Sequence, residues 1–347
     1  MAELRVWRDH PLACEMVDGD SRPTDLAEGE AQLLIERFGL TSNNVSYAAL
    51  GDQLGYWRAF PAPREGWGRV PAWGYARAVA SRSPALAEGQ FVFGLVPMAS
   101  YVTVRPGPHS SGFIDTAPHR APLAPVYNQY VWASPEGDDA ELIMRPLFGT
   151  SVLLDLVLSE AGLFGADTIV LTSASAKTAY GLAYLLREGP AATIGLTSRP
   201  RRPWVERLGL YGAVFAYDEL DDVAPAGRVV LVDFTDDRSL MRALHERLGE
   251  QLVRSISVGF THWRGRGDDD PLPGPAPQFF FTPDEMSRRG RELAQRYVAA
   301  WQGFASVLEW SLRLERVTDG DGLVRAWREL VEGRMDPAKG YVVSLDH

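Results

Sequence analysis

Residues 172–178, with the sequence TSASAKT, combine small side chains and a lysine between a predicted strand and a predicted helix. Amides at the start of such a helix, together with the helix dipole, attract a phosphate or diphosphate group. Lys177 and Thr178 are similar to the end of a P-loop, but the Gly-x-x-x-x-Gly that precedes it there is absent. An exposed lysine at a helix start is the alternative interpretation. The predicted phosphate-binding residues are Ser173, Ser175, Ala176, Lys177 and Thr178.

A basic cluster follows the next predicted strand, where dinucleotide-binding folds contact the ribose. NAD enzymes place an acidic residue there, whereas NADP enzymes use basic residues for the 2′-phosphate. The stretch TSRPRR contains no acid, which favours a 2′-phosphate; a solvated basic surface turn is the alternative. The residues concerned are Ser198, Arg199, Arg201 and Arg202.

Two further segments are candidates by position. Thr261 and His262 end a later predicted strand, and ligands bind at the carboxyl ends of parallel strands. A structural role is the alternative for both. Residues 105–135 are expected to form a long irregular but ordered connection, a lid or pocket wall, because they combine prolines with aromatic residues.

These candidates require a scaffold of strands and helices. From about residue 140, apolar runs such as TIVLTS, AATIGLTS and GRVVLVDFT alternate with helical stretches, which predicts βαβ units and a doubly wound parallel sheet. Before residue 105, the runs AQLLIERFGLT, YARAVASR and QFVFGLV predict a β-rich domain. The predicted fold class is α/β, with one β-rich domain and one Rossmann-type domain.

Composition excludes several classes of protein. A net charge of -10 argues against general nucleic-acid binding, which needs a basic surface. Cys14 is the only cysteine, so neither an internal disulfide nor a cysteine-based zinc site is expected. The N-terminus lacks the apolar core of a signal peptide, and no apolar run approaches a membrane span. A cytoplasmic protein without bound metal is the expectation.

The order of four stretches resembles the medium-chain dehydrogenase/reductase superfamily, in its zinc-free branch of quinone oxidoreductases and enoyl reductases. They are RFGLTSNNVSY, VPAWGYARAVASRSPALAEGQFVFGLVPMASYVTV, TIVLTSASAKTAYGLAYLL and VEGRMDPAKGYVVSL. The motifs SASAKT and LTSNNVSYA are similar to those of an uncharacterised bacterial family, which is named only as a domain of unknown function. The resemblance implies a GroES-like catalytic domain over residues 1–138, rejoined by 312–347, and a nucleotide-binding domain over 139–311.

The resemblance also implies site residues. Enoyl reductases of this branch use a tyrosine as proton donor, which points to Tyr56 or Tyr47, and Asn44 matches a family asparagine that orients substrate. Packed core aromatics, and an asparagine that bonds the backbone in a turn, are the alternatives. Ser173 and Lys177 depart from the family, since both stand where it has glycine.

The expected function is a zinc-independent, NADP(H)-dependent reduction of a carbonyl or activated C=C bond in a small molecule. A lyase or aldolase-type enzyme that uses Lys177, and a nucleotide-sensing protein without catalysis, are the alternatives. A homodimer is left open.

Overall fold

The computed structural model describes residues 2–18, 25–258 and 270–345. They divide into two compact units. One comprises Met1–Arg145 and Leu312–His347, and the other comprises Pro146–Ser311.

The elements of the N-terminal part follow one another in this order: β1 (Ala2–Trp7), β2 (Cys14–Asp18), β3 (Ala31–Leu40), α1 (Ser42–Ala49), β4 (Trp67–Gly68), β5 (Pro71–Ser81), β6 (Phe91–Pro97), β7 (Tyr101–Val104), β8 (Pro106–His109), β9 (Gly112–Asp115), α2 (Pro125–Asn128), β10 (Gln129–Trp132) and α3 (Asp139–Glu160). The remainder of the chain continues with β11 (Thr168–Leu171), α4 (Lys177–Leu186), β12 (Ala192–Thr197), α5 (Arg202–Leu208), β13 (Ala213–Ala216), β14 (Val229–Asp233), α6 (Arg238–Leu248), β15 (Leu252–Val258), β16 (Gln278–Phe280), α7 (Thr282–Ser311), β17 (Arg313–Val317), α8 (Gly320–Val331) and β18 (Lys339–Val343).

Antiparallel sheets dominate the first unit. A small sheet has the order β2-β1-β4, and a larger one runs β17-β18-β3-β5-β6-β10-β9-β8, with β7 also paired to β3. Strands β3 and β6 are almost entirely buried, which explains why β6 is apolar throughout and β3 largely apolar. The β-rich domain predicted from the sequence is confirmed.

The expectation of an irregular connection over residues 105–135 is wrong. This segment contributes β8, β9 and β10 to the large sheet. Arg120, which is 1% exposed, holds it together: its guanidinium lies 3.4 Å from the Asp115 carboxylate and donates to Asn128 Oδ1 at 3.1 Å. These strands are only four residues long and one begins at Pro106, so the sequence lacks the alternation that marks longer strands.

A parallel sheet forms the second unit, with the order β13-β12-β11-β14-β15-β16. Every neighbouring pair is parallel, and this order is that of dinucleotide-binding doubly wound folds. Strands β11 and β14 are buried along their whole length. The predicted α/β class with a Rossmann-type sheet is confirmed.

Helices α3, α4 and α7 pack through aromatic side chains. Phe148 of α3 stacks on Phe304 of α7 with ring centroids 4.1 Å apart, and Tyr184 of α4 lies 5.1 Å from Phe304. A Cβ atom on Gly181 of α4 would lie 2.7 Å from Ser151 Oγ of α3, so glycine allows this close helix contact.

Helix α3 corrects one expectation. With 22 residues and a mean hydropathy of 1.6 in its most apolar window, it is long and apolar enough to cross a membrane. However, 67% of that window is buried within the protein, and core helices commonly share this composition.

Gly112 provides a test of the β9–β10 pairing. A Cβ atom there would lie 1.9 Å from the Tyr130 carbonyl oxygen. We expect Gly112→Ala to lower the free energy of unfolding by about 1–3 kcal/mol or more, since backbone must shift. Gly149→Ala, in α3 with nothing within 4 Å, is the control and should raise it by up to about 1 kcal/mol. Urea unfolding measures both; equal effects would contradict the observed register.

Candidate functional site

The turn between β11 and α4 keeps a glycine-type conformation although residues 172–176 include no glycine. Ser173 has φ +47°, in the left-handed region that glycine usually occupies. The Ala176 amide donates to the Ser173 carbonyl at 2.6 Å, and the Ala174 amide donates to the Leu196 carbonyl of β12 at 2.9 Å. The tight turn between strand and helix is therefore retained with serine.

Two tyrosines hold this turn. The Ser173 amide donates to the Tyr217 hydroxyl at 2.9 Å, and the Tyr211 hydroxyl donates to the Ala174 carbonyl at 2.8 Å. Burial raises the pKa of Tyr217 to about 12, so this hydroxyl stays protonated at neutral pH. The sequence analysis missed both tyrosines, because nothing local marks them as partners of a turn about 40 residues earlier.

A buried carboxylate connects the ends of β11 and β14 beside the turn. Thr172 donates from its hydroxyl to Asp233 Oδ1 at 2.5 Å, and the Thr235 hydroxyl donates to the same oxygen at 2.7 Å. The Asp236 amide donates to Asp233 Oδ2 at 3.0 Å. Asp233 is 2% exposed and multiply hydrogen-bonded, as a buried carboxylate must be. It fixes the strand ends that carry the turn.

The predicted phosphate-binding residues divide by exposure. Ser173, Ala176 and Thr178 are partly exposed, whereas Ser175 and Lys177 are buried, at 2% and 8% exposure. An exposed lysine at the helix start is therefore wrong as an interpretation of Lys177. The N-cap residue Ala176 supplies no side-chain hydrogen bond to α4, so the amides of the first helical turn lack that satisfaction.

The basic cluster after β12 has acidic partners that its own sequence lacks. Arg199 lies 2.7 Å from Asp218 and 3.2 Å from Glu219, and Arg202 lies 2.5 Å from Glu219. Arg199 donates a hydrogen bond to the Asp218 carboxylate. This bond raises the pKa of Arg199 and lowers the pKa of Asp218. A purely solvated basic turn is thus not what the structure shows.

The same loop contains two further predicted residues, Ser198 and Arg201. Ser198 is partly exposed directly after β12. Arg201 is also partly exposed and lies close enough to Tyr217 for its charge to lower the pKa of that hydroxyl, against the larger effect of burial.

Thr261 and His262, the remaining candidates from the nucleotide-binding half, lie outside the described residues.

The candidate tyrosines of the first unit belong to a buried aromatic cluster. The Tyr56 hydroxyl lies 3.0 Å from the Tyr127 hydroxyl, and Trp73 Nε1 donates to the Tyr47 hydroxyl at 3.0 Å. The Tyr47 and Tyr56 rings are 4.7 Å apart. Burial raises the pKa of the hydroxyls of Tyr47, Tyr56 and Tyr127 above the ordinary value for tyrosine. These side chains are neutral donors held in a fixed arrangement.

Asn44 uses both ends of its amide on the backbone. Its Oδ1 accepts from the Thr41 amide at 2.8 Å, and its Nδ2 donates to the Pro71 carbonyl at 2.9 Å. With the Thr41 side chain, it forms the capping box of α1. This geometry favours the backbone-bonding alternative over substrate orientation.

A family model covers most of the chain: the model described as "Protein of unknown function (DUF2855)" matches residues 38–336. The chain belongs to the DUF2855 family. No curated protein matches it.

Solved structures show what this DUF2855 protein resembles in fold. CurA from Vibrio vulnificus in complex with NADPH matches with a TM-score of 0.69 and 13% identity over 100% of both chains. The yhdH oxidoreductase from Salmonella enterica in complex with NADP matches with a TM-score of 0.60 and 13% identity, also over 100% of both chains. The CurK enoyl reductase matches with a TM-score of 0.62 and 15% identity over 99% of each chain. The fold that the resemblance predicts is confirmed by these structures.

The first unit of the DUF2855 protein also contains a cleft of about 490 Å³. Arg8, Trp57, Arg58 and His119 are among its lining residues. The Arg8 guanidinium lies 5.6 Å from the Trp57 ring centroid, and burial lowers the pKa of His119. Within the described ranges, no three His, Cys, Asp or Glu side chains come together as metal ligands.

The tyrosine cluster makes the stability of this DUF2855 protein pH-dependent at alkaline pH. In the unfolded chain tyrosines ionise near pH ~10, whereas folding raises the pKa of Tyr56 above that value. The unfolded state then binds fewer protons, so the free energy of unfolding falls as pH rises above about 10, by up to about 1.4 kcal/mol per pH unit for each such tyrosine.

Urea unfolding of the wild type and of Tyr56→Phe over that pH range tests this. We expect the free energy of unfolding of the variant to fall less steeply with pH, by the contribution of one tyrosine. An unchanged slope would mean that Tyr56 titrates normally in the folded protein.

Proposed function

We propose that this protein is an NADP(H)-dependent oxidoreductase that reduces a carbonyl or an activated C=C bond of a small molecule without zinc. The observation that carries the proposal is the strand–turn–helix of β11 and α4. It places a left-handed residue, a helix start without a side-chain cap and a buried lysine within five residues of one another. A helix start favours negative charge, and the ammonium group of Lys177 adds a positive charge at the same position.

The residues of the turn fit a diphosphate. Ser173 retains the left-handed conformation, and the partly exposed Ala176 has a side chain small enough for close approach. Gly195 of β12 makes room for the turn, because a Cβ atom there would lie 2.9 Å from both the Ala174 and Tyr211 side chains. We assign the diphosphate to residues 173–178, with Lys177 as its charged partner.

The loop after β12 is assigned to the 2′-phosphate of the adenosine ribose. Ser198 supplies a hydroxyl, and Arg199 and Arg201 supply guanidinium groups, which suit phosphate geometry. Thr261 and His262 are assigned to the same cofactor on their sequence position alone. The NADPH and NADP that CurA and yhdH contain support the choice of cofactor.

The domain bounds of the proposal are a catalytic domain over 1–138 and 312–347, and a nucleotide-binding domain over 139–311. Cys14 as the only cysteine supports a reaction without the zinc sites of other medium-chain enzymes. We therefore propose that protein hydroxyl groups or water, and not a metal-bound water, supply the proton.

The cofactor, when bound, supplies a hydride to the substrate. The protein's own part in the first unit is to hold a proton. Tyr56 and Tyr127 are neutral at physiological pH, as tyrosines ordinarily are, and their hydroxyl oxygens are 3.0 Å apart. This distance allows one hydroxyl to be reprotonated by the other after it has donated. Tyr47, whose hydroxyl accepts from Trp73 Nε1, packs against both rings, tilted to Tyr56 and edge-on to Tyr127.

Cofactor choice is the first test. NADPH should bind more tightly than NADH, and Arg201→Ala should weaken NADPH binding about ten- to a hundredfold, the worth of one charge-assisted hydrogen bond of ~1.5–3 kcal/mol. NADH binding should hardly change. Arg207→Ala, an exposed arginine in the last turn of α5, is the control. Fluorescence titration of each reduced nucleotide gives the dissociation constants; absence of binding by both would overturn the proposed function.

Lys177 provides the second test, because the diphosphate is common to both nucleotides. Lys177→Gly introduces the glycine that the medium-chain superfamily has at this position, but it removes a charge-assisted contact. The affinities for NADPH and NADH should therefore both fall about ten- to a hundredfold. Lys177→Met, which keeps an unbranched apolar stem in this buried position, should do the same, and its thermal unfolding shows whether the fold is intact.

The burial of Lys177 also favours the second candidate function, a lyase or aldolase-type reaction through its amine. In that case both variants would bind NADPH as the wild type does. Borohydride would then trap a carbonyl compound on the wild type but not on Lys177→Met.

A further inference from the structure

The loops after β12 and β13 lie side by side because the two strands are parallel and in register, with Thr197 opposite Ala216. Residues 198–202 therefore leave the sheet next to residues 217–222. No acidic residue directly follows β12 in the sequence. The loop after the neighbouring strand β13 supplies two acidic residues at this place, Asp218 and Glu219.

Glu219 is the anchored member of this pair. Its side chain is 16% exposed, and Oε2 accepts from the Ala216 amide at 2.9 Å and from Arg202 at 2.5 Å. Oε1 lies 3.2 Å from Arg199. Asp218 is the exposed member, at 60%, and accepts a hydrogen bond from Arg199 Nε at 2.7 Å.

The ion pairs of Arg199 and Arg202 weaken the attraction of the loop for a phosphate dianion. Two guanidinium groups, of Arg199 and Arg202, share three carboxylates, since Glu206 also lies 2.8 Å from Arg202. An entering 2′-phosphate has to take donors from Asp218 and remain close to the like charge of Glu219. A free ribose has the opposite preference, because a carboxylate at this place accepts hydrogen bonds from its hydroxyls.

We propose that Asp218 and Glu219 are specificity-determining residues that restrain the preference for NADPH, so that the protein also accepts NADH. The proposal rests on the proposed function, since it concerns the same nucleotide. Asp218 competes directly with the 2′-phosphate for Arg199, and Glu219 holds both arginines in the ligand-free arrangement.

The test is the ratio of the dissociation constants for NADPH and NADH, measured by fluorescence titration at low and at physiological salt. Asp218→Asn and Glu219→Gln should each tighten NADPH binding about two- to fivefold, the effect of one surface charge pair, and should leave NADH binding unchanged or weaker. Glutamine can still accept from the Ala216 amide, so the loop is retained. Higher salt should reduce the difference between variants and wild type.

Asp222→Asn is the control, since it removes the same charge from an exposed position in the same loop. It should leave the ratio as in the wild type. Two results would overturn this inference while the proposed function stands. One is a ratio that is unchanged in both test variants, and the other is weaker NADPH binding because the arginines lose their support. Failure of the wild type to bind either nucleotide overturns the proposed function itself.

Discussion

Parallel pairing of the buried strands β11 to β14 is the constraint on which the candidate nucleotide site depends. Parallel neighbours end at the same edge of a sheet, so the residues that follow them meet there. This brings Thr172 to Asp233, 61 positions away, and Ser173 to Tyr217, 44 positions away. The complete burial of β11 and β14 fixes the register, since a shift would expose apolar side chains or separate these polar partners.

The turn after β11 shows how a turn without glycine can keep a glycine-type conformation. A left-handed residue other than glycine costs roughly 1–2 kcal/mol, yet Ser173 adopts that conformation. The cost is offset because the Tyr217 hydroxyl accepts from the Ser173 amide and Tyr211 binds the next carbonyl. Hydrogen bonds from two long side chains, one before and one after β13, thus stabilise a conformation that glycine would adopt without cost.

In the first unit, residues that look catalytic in the sequence are also packing residues. Asn44 satisfies the backbone at the start of α1, and the Tyr47 hydroxyl is bound to Trp73. Tyr56 combines burial with a partner hydroxyl 3.0 Å away, so the same contact that stabilises the core also keeps a proton available. The two roles are compatible, because both need a neutral phenol in one orientation.

The sequence by itself determined the long elements: the runs that became β3, β11, β12 and β14 are rich in apolar residues, and this pattern is local. It also placed the glycine-free turn between a strand and a helix. Only the tertiary structure decided that Lys177 is buried, that residues 105–135 add strands to a sheet, and that the arginines after β12 meet Asp218 and Glu219. These outcomes depend on which strands become neighbours. The sequence of a loop does not show which charged residues a distant segment places beside it.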